Sequence, residues 1–354
     1  LLSSRSKPLI GVDISASAVK MLELADAGNG SLRVERYAFA PLPRDAVGEG
    51  NIAKPEAVEK AMRDAWKALG TRTRSIALAL PASAVIAKKL VFPKDTSEAE
   101  IETQATEEAG QMVPFPMEDV TLDFQILGPS ERAPNENEVL VVVTRKDRVE
   151  ERVAVAEAVG LKTAIMDVDT YATLRAFDQV ALQLPNNGKG QVVAIVDIGA
   201  ATTHINVLYD NVPVFQREHP FGGQSLTQEV ARRFDMPPEE AEGAKRKGLL
   251  PEAYESEVLR PFMDSVALEI NRAFQLFFGT TPYHKIDHIL LAGGCAAIPG
   301  LDEMVYDKLQ ISTIIANPFA RMAVSSQVKA HQLAADSPAL FVACGLALRR
   351  FDPA

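Results

Sequence analysis

Two segments run an apolar strand into an aspartate and then turn through small residues. They are Gly11-Val12-Asp13-Ile14-Ser15-Ala16-Ser17 and Val196-Asp197-Ile198-Gly199-Ala200-Ala201-Thr202-Thr203. A tight turn of small residues after a strand exposes successive backbone amides, which make an anion-binding concavity. Ser17, Thr202 and Thr203 would add hydroxyl donors, and Lys20 a cation near a terminal phosphate. Asp13 and Asp197, at the strand ends, offer hard oxygens for Mg²⁺, directly or through the waters it retains. One such turn is weak evidence; two at matching places in a repeated pattern are specific.

A third element, Leu290-Leu291-Ala292-Gly293-Gly294-Cys295, runs a strand straight into two glycines, which permit close approach to a flat ligand. It reads equally as a bare strand-to-helix turn. A fourth, Phe221-Gly222-Gly223, opens a helix, and beyond it Glu242 and Lys245 stand one helical turn apart. That pair could hold a ribose or base edge, or be a solvated ion pair. The five histidines carry no metal or catalytic pattern, and no Walker A, GxGxxG or GxSxG motif occurs.

The elements that must position these residues follow from pattern. The chain has 354 residues, 47% hydrophobic and 24% charged, which suits two globular lobes. Its net charge of −10 and lack of a basic block exclude a nucleic-acid footprint. Cys295 and Cys344 lack CxxC partners and read as reduced core thiols. No apolar run approaches the ~20 residues of a membrane span, so a cytoplasmic protein without direct membrane insertion is expected. A three-strand meander is predicted over 9–39, around Gly28-Asn29-Gly30, and again over 192–218. Helices are predicted over 55–69, from 98, over 148–159, 224–234, 238–247 and 257–278, and at 339–350, the last packing on the second lobe. The chain therefore divides into a first lobe (1–74 plus 161–187) and an inserted α/β subdomain (75–160). The second lobe (188–220 plus 280–354) carries a helical subdomain (221–279). Phe115, between two prolines, reads as a core plug or as a rim aromatic that receives a partner peptide.

The order Asp hairpin, Asp-Ile-Gly hairpin, Gly-Gly helix entry, Glu-x-x-Lys and Leu-Ala-Gly-Gly resembles the actin-like ATPase superfamily. The small insert in the first lobe is similar to that of FtsA. A closer resemblance, to the PilM family of type IV pilus assembly, rests on Gly11 to Ile14 with Ala18 to Leu24, and on 113–127. Asp167 to Ala172, Phe221 to Gly223 and Leu291 to Cys295 complete it. The resemblance implies a bilobed α/β fold of duplicated ribonuclease-H-like lobes, with ATP and Mg²⁺ between them. It places Asp13, Ser15, Ala16, Ser17 and Lys20 on one phosphate hairpin, and Asp197, Gly199, Ala201, Thr202 and Thr203 on the other. Gly222, Gly223, Glu242, Lys245, Gly293, Gly294 and Cys295 fall on the nucleoside side, and Asp169 near the attacking water. It also implies a groove between first lobe and insert for the N-terminal tail of the membrane protein PilN, and docking of other pilus motor components. The protein would then be peripheral at the inner membrane through its partner.

The superfamily usually has Asp-x-Gly where this chain has Ser15. A positive φ there would make serine cost about 1 kcal/mol or more and reshape the loop that grips the γ-phosphate. We therefore expect an ATP-binding platform with weak or absent hydrolysis. The competing reading is an active enzyme, either a polymerising ATPase or a sugar kinase.

Overall fold

The computed structural model describes residues 7–352 apart from 29, 49, 131, 132 and 134, so Asn29 of the expected hairpin and the outermost ends of both lobes fall outside it. Strands β1 (Ile10–Ile14), β2 (Ala18–Gly28) and β3 (Ser31–Pro41) form the first meander. A short ribbon, β4 (Val47–Gly48) with β5 (Asn51–Ile52), leads to α1 (Pro55–Leu69). That helix begins on a proline, whose missing N–H is unneeded there, and stops at Gly70 in the left-handed conformation. β6 (Ser75–Leu80) then returns parallel to β1.

The insert follows: β7 (Val85–Pro93), α2 (Glu98–Met112), β8 (Val120–Pro129) and β9 (Glu136–Arg145). Its strands form a separate three-stranded sheet, β7-β9-β8, and a Ser97/Glu100 capping box starts its helix. The chain re-enters the first lobe through α3 (Lys146–Glu157), β10 (Lys162–Val168) and α4 (Asp169–Ala181).

The second lobe begins again with a meander, β11 (Val192–Ile198), β12 (Thr203–Tyr209) and β13 (Val212–His219). Helices α5 (Gly223–Arg233), α6 (Pro238–Lys247) and α7 (Arg260–Thr280) precede β14 (His288–Ala292), α8 (Leu301–Leu309) and β15 (Ser312–Ile315). The chain closes with β16 (Ala323–Val324), α9 (Ala330–Asp336) and α10 (Phe341–Leu348).

The first sheet runs β10-β6-β1-β2-β3-β16 and the second β13-β12-β11-β14-β15. From the third meander strand onward, both read 3-2-1-4-5, antiparallel within the meander and parallel beyond it. The duplication predicted from two Asp-led turns is therefore a duplication of whole sheets.

Two boundaries differ from expectation. Ser75–Leu80 pairs with β1 and β10, so it belongs to the first-lobe sheet and the insert begins after it. On the far side, α3 buries Val155 and Ala156 with Ile76 and Leu78 in the first-lobe core, so the insert ends near Arg145. Nor does the closing helix belong to the second lobe alone. Together with α4 it lies between the two sheets, where Phe177 and Phe341 pack with Leu22 and Leu24 on one side and Val193, Ile195 and Leu290 on the other. The approach is backbone to backbone: a Cβ at Gly345 would fall 1.7 Å from the Ala172 carbonyl oxygen. Arg349 Nε donates to Asp167 Oδ2 at 2.6 Å and ties the end of this helix to β10. These interleaved helices hold the two hairpins face to face.

Candidate functional site

Each hairpin is closed by the same bond. The Ser15 amide donates to the Ala18 carbonyl at 3.0 Å, and the Gly199 amide to the Thr202 carbonyl at 2.9 Å. Ser15 and Gly199 are thus equivalent positions. Ser15 does not adopt a positive φ, and its Oγ donates to the Ala18 carbonyl at 2.9 Å. The premise that serine strains this turn is corrected: the side chain reinforces it.

Strand register places a cation opposite the first aspartate. Asp13 faces Lys20 across β1 and β2, with Nζ 2.8 Å from Oδ2 and both side chains largely buried. Burial works against the ammonium, but Asp13 and, more distantly, Asp197 outweigh it and raise the Lys20 pKa. In the second lobe the same register sets Asp197 opposite His204, which lines the cleft 4.0 Å from Glu218. Sequence reasoning passed over His204. The signal was present, because Lys20 follows Asp13 by the same interval as His204 follows Asp197. Burial raises the pKa of Asp197, opposed by His204 and Lys20. Asp169 opens α4 and accepts from the Ala82 amide at 3.0 Å. Burial pushes its carboxyl up to about 6, against the fields of His204 and two backbone hydrogen bonds.

Across the cleft, Glu242 and Lys245 are not a loose surface pair. Their ends meet at 2.6 Å, Lys245 Nζ donates to Thr227 Oγ1 at 2.8 Å, and Thr227 Oγ1 donates to Glu242 Oε2 at 2.6 Å. This network pins α6 to α5. Burial would raise the Glu242 pKa, but Lys245, Thr227 and Arg246 hold it below the ordinary value.

Gly293 has φ +84°, and a Cβ there would stand 2.4 Å from both Asp197 Oδ1 and the Ile198 carbonyl oxygen. Only glycine lets β14 turn against the second hairpin. Gly294 has open space where a Cβ would be and lines the cleft, leaving room for a ligand. The Cys295 thiol, pushed up to about 11 by burial, lies 3.5 Å from the Gly199 carbonyl.

Two expected contacts are corrected. Thr203 is buried as the first residue of β12, its hydroxyl donating to the Phe221 carbonyl at 2.8 Å, so it faces away from the cleft that Thr202 lines. Gly222 packs behind the second hairpin, where a Cβ would lie 2.5 Å from the Gly199 carbonyl oxygen. Its glycine serves backbone packing rather than ligand contact. The remaining sequence-predicted residues, Asp169 and Phe115 included, line one continuous cleft of about 1910 Å³.

That cleft extends beyond the hairpins. It continues between the first lobe and the insert, past Phe39, Leu42, Ile86 and Phe115, and it is lined there by Arg145, Arg148 and Arg152. Phe115 belongs to the insert core, where it packs with Ala109 and Val120, and also borders the cleft, its ring under the Arg145 guanidinium at 5.9 Å.

Two lobes of one strand order, each opening on an aspartate-led hairpin and facing the other across a cleft, define the actin-like ATPase fold. The ethanolamine utilization protein EutJ from Carboxydothermus hydrogenoformans shares this fold at 17% identity, with a TM-score of 0.55 over 97% of this chain and 89% of that one. MreB 5 of Spiroplasma citri, solved bound to AMPPNP, shares it at 15% identity, with a TM-score of 0.50 over 96% and 95%. A solved PilM–PilN type IV pilus biogenesis complex is 27% identical, with a TM-score of 0.81, covering 98% of this chain and 100% of that chain. The family model described as type IV pilus assembly protein PilM matches residues 11–351, and the chain belongs to that family.

Proposed function

We propose that the protein is a nucleotide-loaded platform of type IV pilus assembly, binding ATP with Mg²⁺ between its lobes and the N-terminal tail of PilN beside the insert. The observation that carries this reading is the single cleft joining two Asp-led hairpins to a groove at the insert. The phosphates would lie on the amides of Ser15 to Ser17 and of Gly199 to Thr202, with Lys20 as cation. Adenosine would lie toward Glu242, Lys245 and the open face of Gly294. Among the described residues no cluster of three or more His, Cys, Asp or Glu could hold a metal. Mg²⁺ would therefore be held by phosphate oxygens and retained waters, with Asp13 and Asp197 completing its shell, which suits an ion that dehydrates reluctantly.

PilN as partner is supported by the 27% identity to the PilM of a solved PilM–PilN complex. Among the described residues no helix is long and apolar enough to cross a membrane, and the proposed tie to the inner membrane is PilN itself. The family match does not favour the sugar-kinase or polymerising-ATPase alternatives. The expectation of weak hydrolysis rested on strain at Ser15 and loses that support. The test is a titration of Mg·ATP with phosphate release measured in the same sample, with and without a PilN tail peptide. Saturable binding of both ligands is expected. Failure to bind nucleotide overturns the cleft assignment, and failure to bind peptide removes the partner.

A further inference from the structure

A second cavity, of about 250 Å³, lies between α7 and the strands β12 and β13, and shares no lining residue with the cleft. Strand register builds one wall. Arg217 stands opposite Ile205 and His219 opposite Thr203, two steps apart and so on one face of the sheet. Glu269, Arg272 and Ala273 of α7 form the other wall.

The charges within this cavity do not cancel. Glu269 accepts from Arg272 and lies 3.1 Å from His219 Nε2, so its carboxylate is committed to those two. Arg217 is half-buried, and among the described residues its guanidinium has no hydrogen bond or ion pair. Every other described arginine that is not exposed has at least one hydrogen-bond partner. The planar fork of a guanidinium suits a carboxylate, which accepts two parallel N–H bonds at once. Glu269 limits the charge such a ligand can carry. It offsets Arg272, leaving Arg217 as the uncompensated guanidinium, so one negative charge is matched and a second would face the Glu269 carboxylate. Ile205 and Ala273 supply apolar wall for a short carbon chain. An apolar cavity of about 150 Å³ takes a benzene-sized ligand, so this larger one has room for such a chain.

We infer that this cavity binds a small monocarboxylate, a short-chain carboxylic acid whose carboxylate is forked on Arg217 and whose chain lies on Ile205 and Ala273. The inference does not depend on nucleotide or peptide binding.

The full chain, isotope-labelled for amide NMR, is titrated at constant ionic strength with butyrate, acetate, succinate and inorganic phosphate. Butyrate is expected to give saturable shifts at β13 and α7 with a millimolar Kd. Acetate, shorter by two methylenes, should bind at least about fivefold more weakly, and the doubly charged succinate and phosphate should also be weaker than butyrate. Arg217→Gln should weaken butyrate at least about tenfold, the loss expected of a charge-assisted hydrogen bond. Absence of a saturable butyrate shift overturns the inference, as does an affinity unchanged in Arg217→Gln. Acetate, succinate or phosphate binding as tightly as butyrate overturns the ligand class. If Arg217→Gln shows no cooperative melting, Arg217→Lys decides alone. It keeps the charge and loses the fork, so butyrate should weaken at least about threefold, and an unchanged affinity overturns the inference.

Discussion

Replacing Asp169 by asparagine should stabilise the protein at neutral pH and not in acid. The folded structure raises this carboxyl from 3.8 to about 6, chiefly by burial. Between those values the folded chain keeps a proton that the unfolded chain has released, so stability falls as pH rises and the full penalty is present above pH 6. With about 1.4 kcal/mol per pKa unit, the penalty is roughly 1.5 kcal/mol at pH 5 and about 3 kcal/mol at pH 8. Asparagine cannot ionise, yet its oxygen can still accept from the Ala82 amide, now 3.0 Å away. Asp169→Asn should therefore exceed the parent by that pH-dependent margin, equivalent to about 4 °C of melting temperature at pH 8 for a chain of this length. Urea unfolding of both proteins at pH 5, 6, 7 and 8 measures the difference directly. A difference that is flat with pH, or that favours aspartate at pH 8, refutes the assignment of a buried, unfavourable charge.

Gly293→Ala should lower the urea midpoint severely, since its Cβ would meet Asp197 and Ile198 at 2.4 Å. Gly294→Ala should melt within about 1 °C of the parent and weaken nucleotide binding, a contrast read by calorimetry and fluorescent ATP titration. Lys20→Ala leaves the carboxylate of Asp13 without its partner at 2.8 Å, and truncating one member of a buried pair costs about 3–5 kcal/mol. That loss should appear in urea unfolding, with Mg·ATP affinity falling at least about tenfold. Phe115→Ala should weaken the PilN peptide in a polarisation assay while leaving the nucleotide titration in place, because Phe115 borders only the insert half of the cleft.

Most of the frame was legible because it is written in local chemistry. Alternating apolar strands, the Ser97 capping box and the Asp-led turns each carry their instruction within a few residues. What was missed depends on long-range pairing. Ser75–Leu80 looks like any short apolar strand, and only its pairing with β1 and β10 assigns it to the first lobe. The closing helix is apolar on all sides because it is covered on all sides, and no periodicity could say by which lobe. Thr203 was included for its hydroxyl, but the two-residue alternation that starts at β12 turns it from Thr202. Nothing in the local sequence marks Arg148 and Arg152, which come to the cleft only through the packing of the insert on the first lobe.

The asymmetry between Ser15 and Gly199 follows from what packs against each turn. The second hairpin has the start of α5 behind it. There the Gly223 amide donates to the Gly199 carbonyl at 3.0 Å and the Gln224 amide to the Ala200 carbonyl at 2.7 Å. A Cβ on Gly199 would also meet the Thr202 carbonyl oxygen at 2.8 Å. That turn is squeezed between its own closing bond and a neighbouring helix, so it requires glycine. The first hairpin closes with the same bond, but its serine hydroxyl reaches the Ala18 carbonyl instead of colliding with it. The opposed residues differ as well: Lys20 faces Asp13, while His204 faces Asp197. The repeat thus supplies one turn that accommodates a side chain and one whose packing against α5 admits only glycine. The second turn is also the one joined through α5 to α6, whose Glu242 and Lys245 line the cleft.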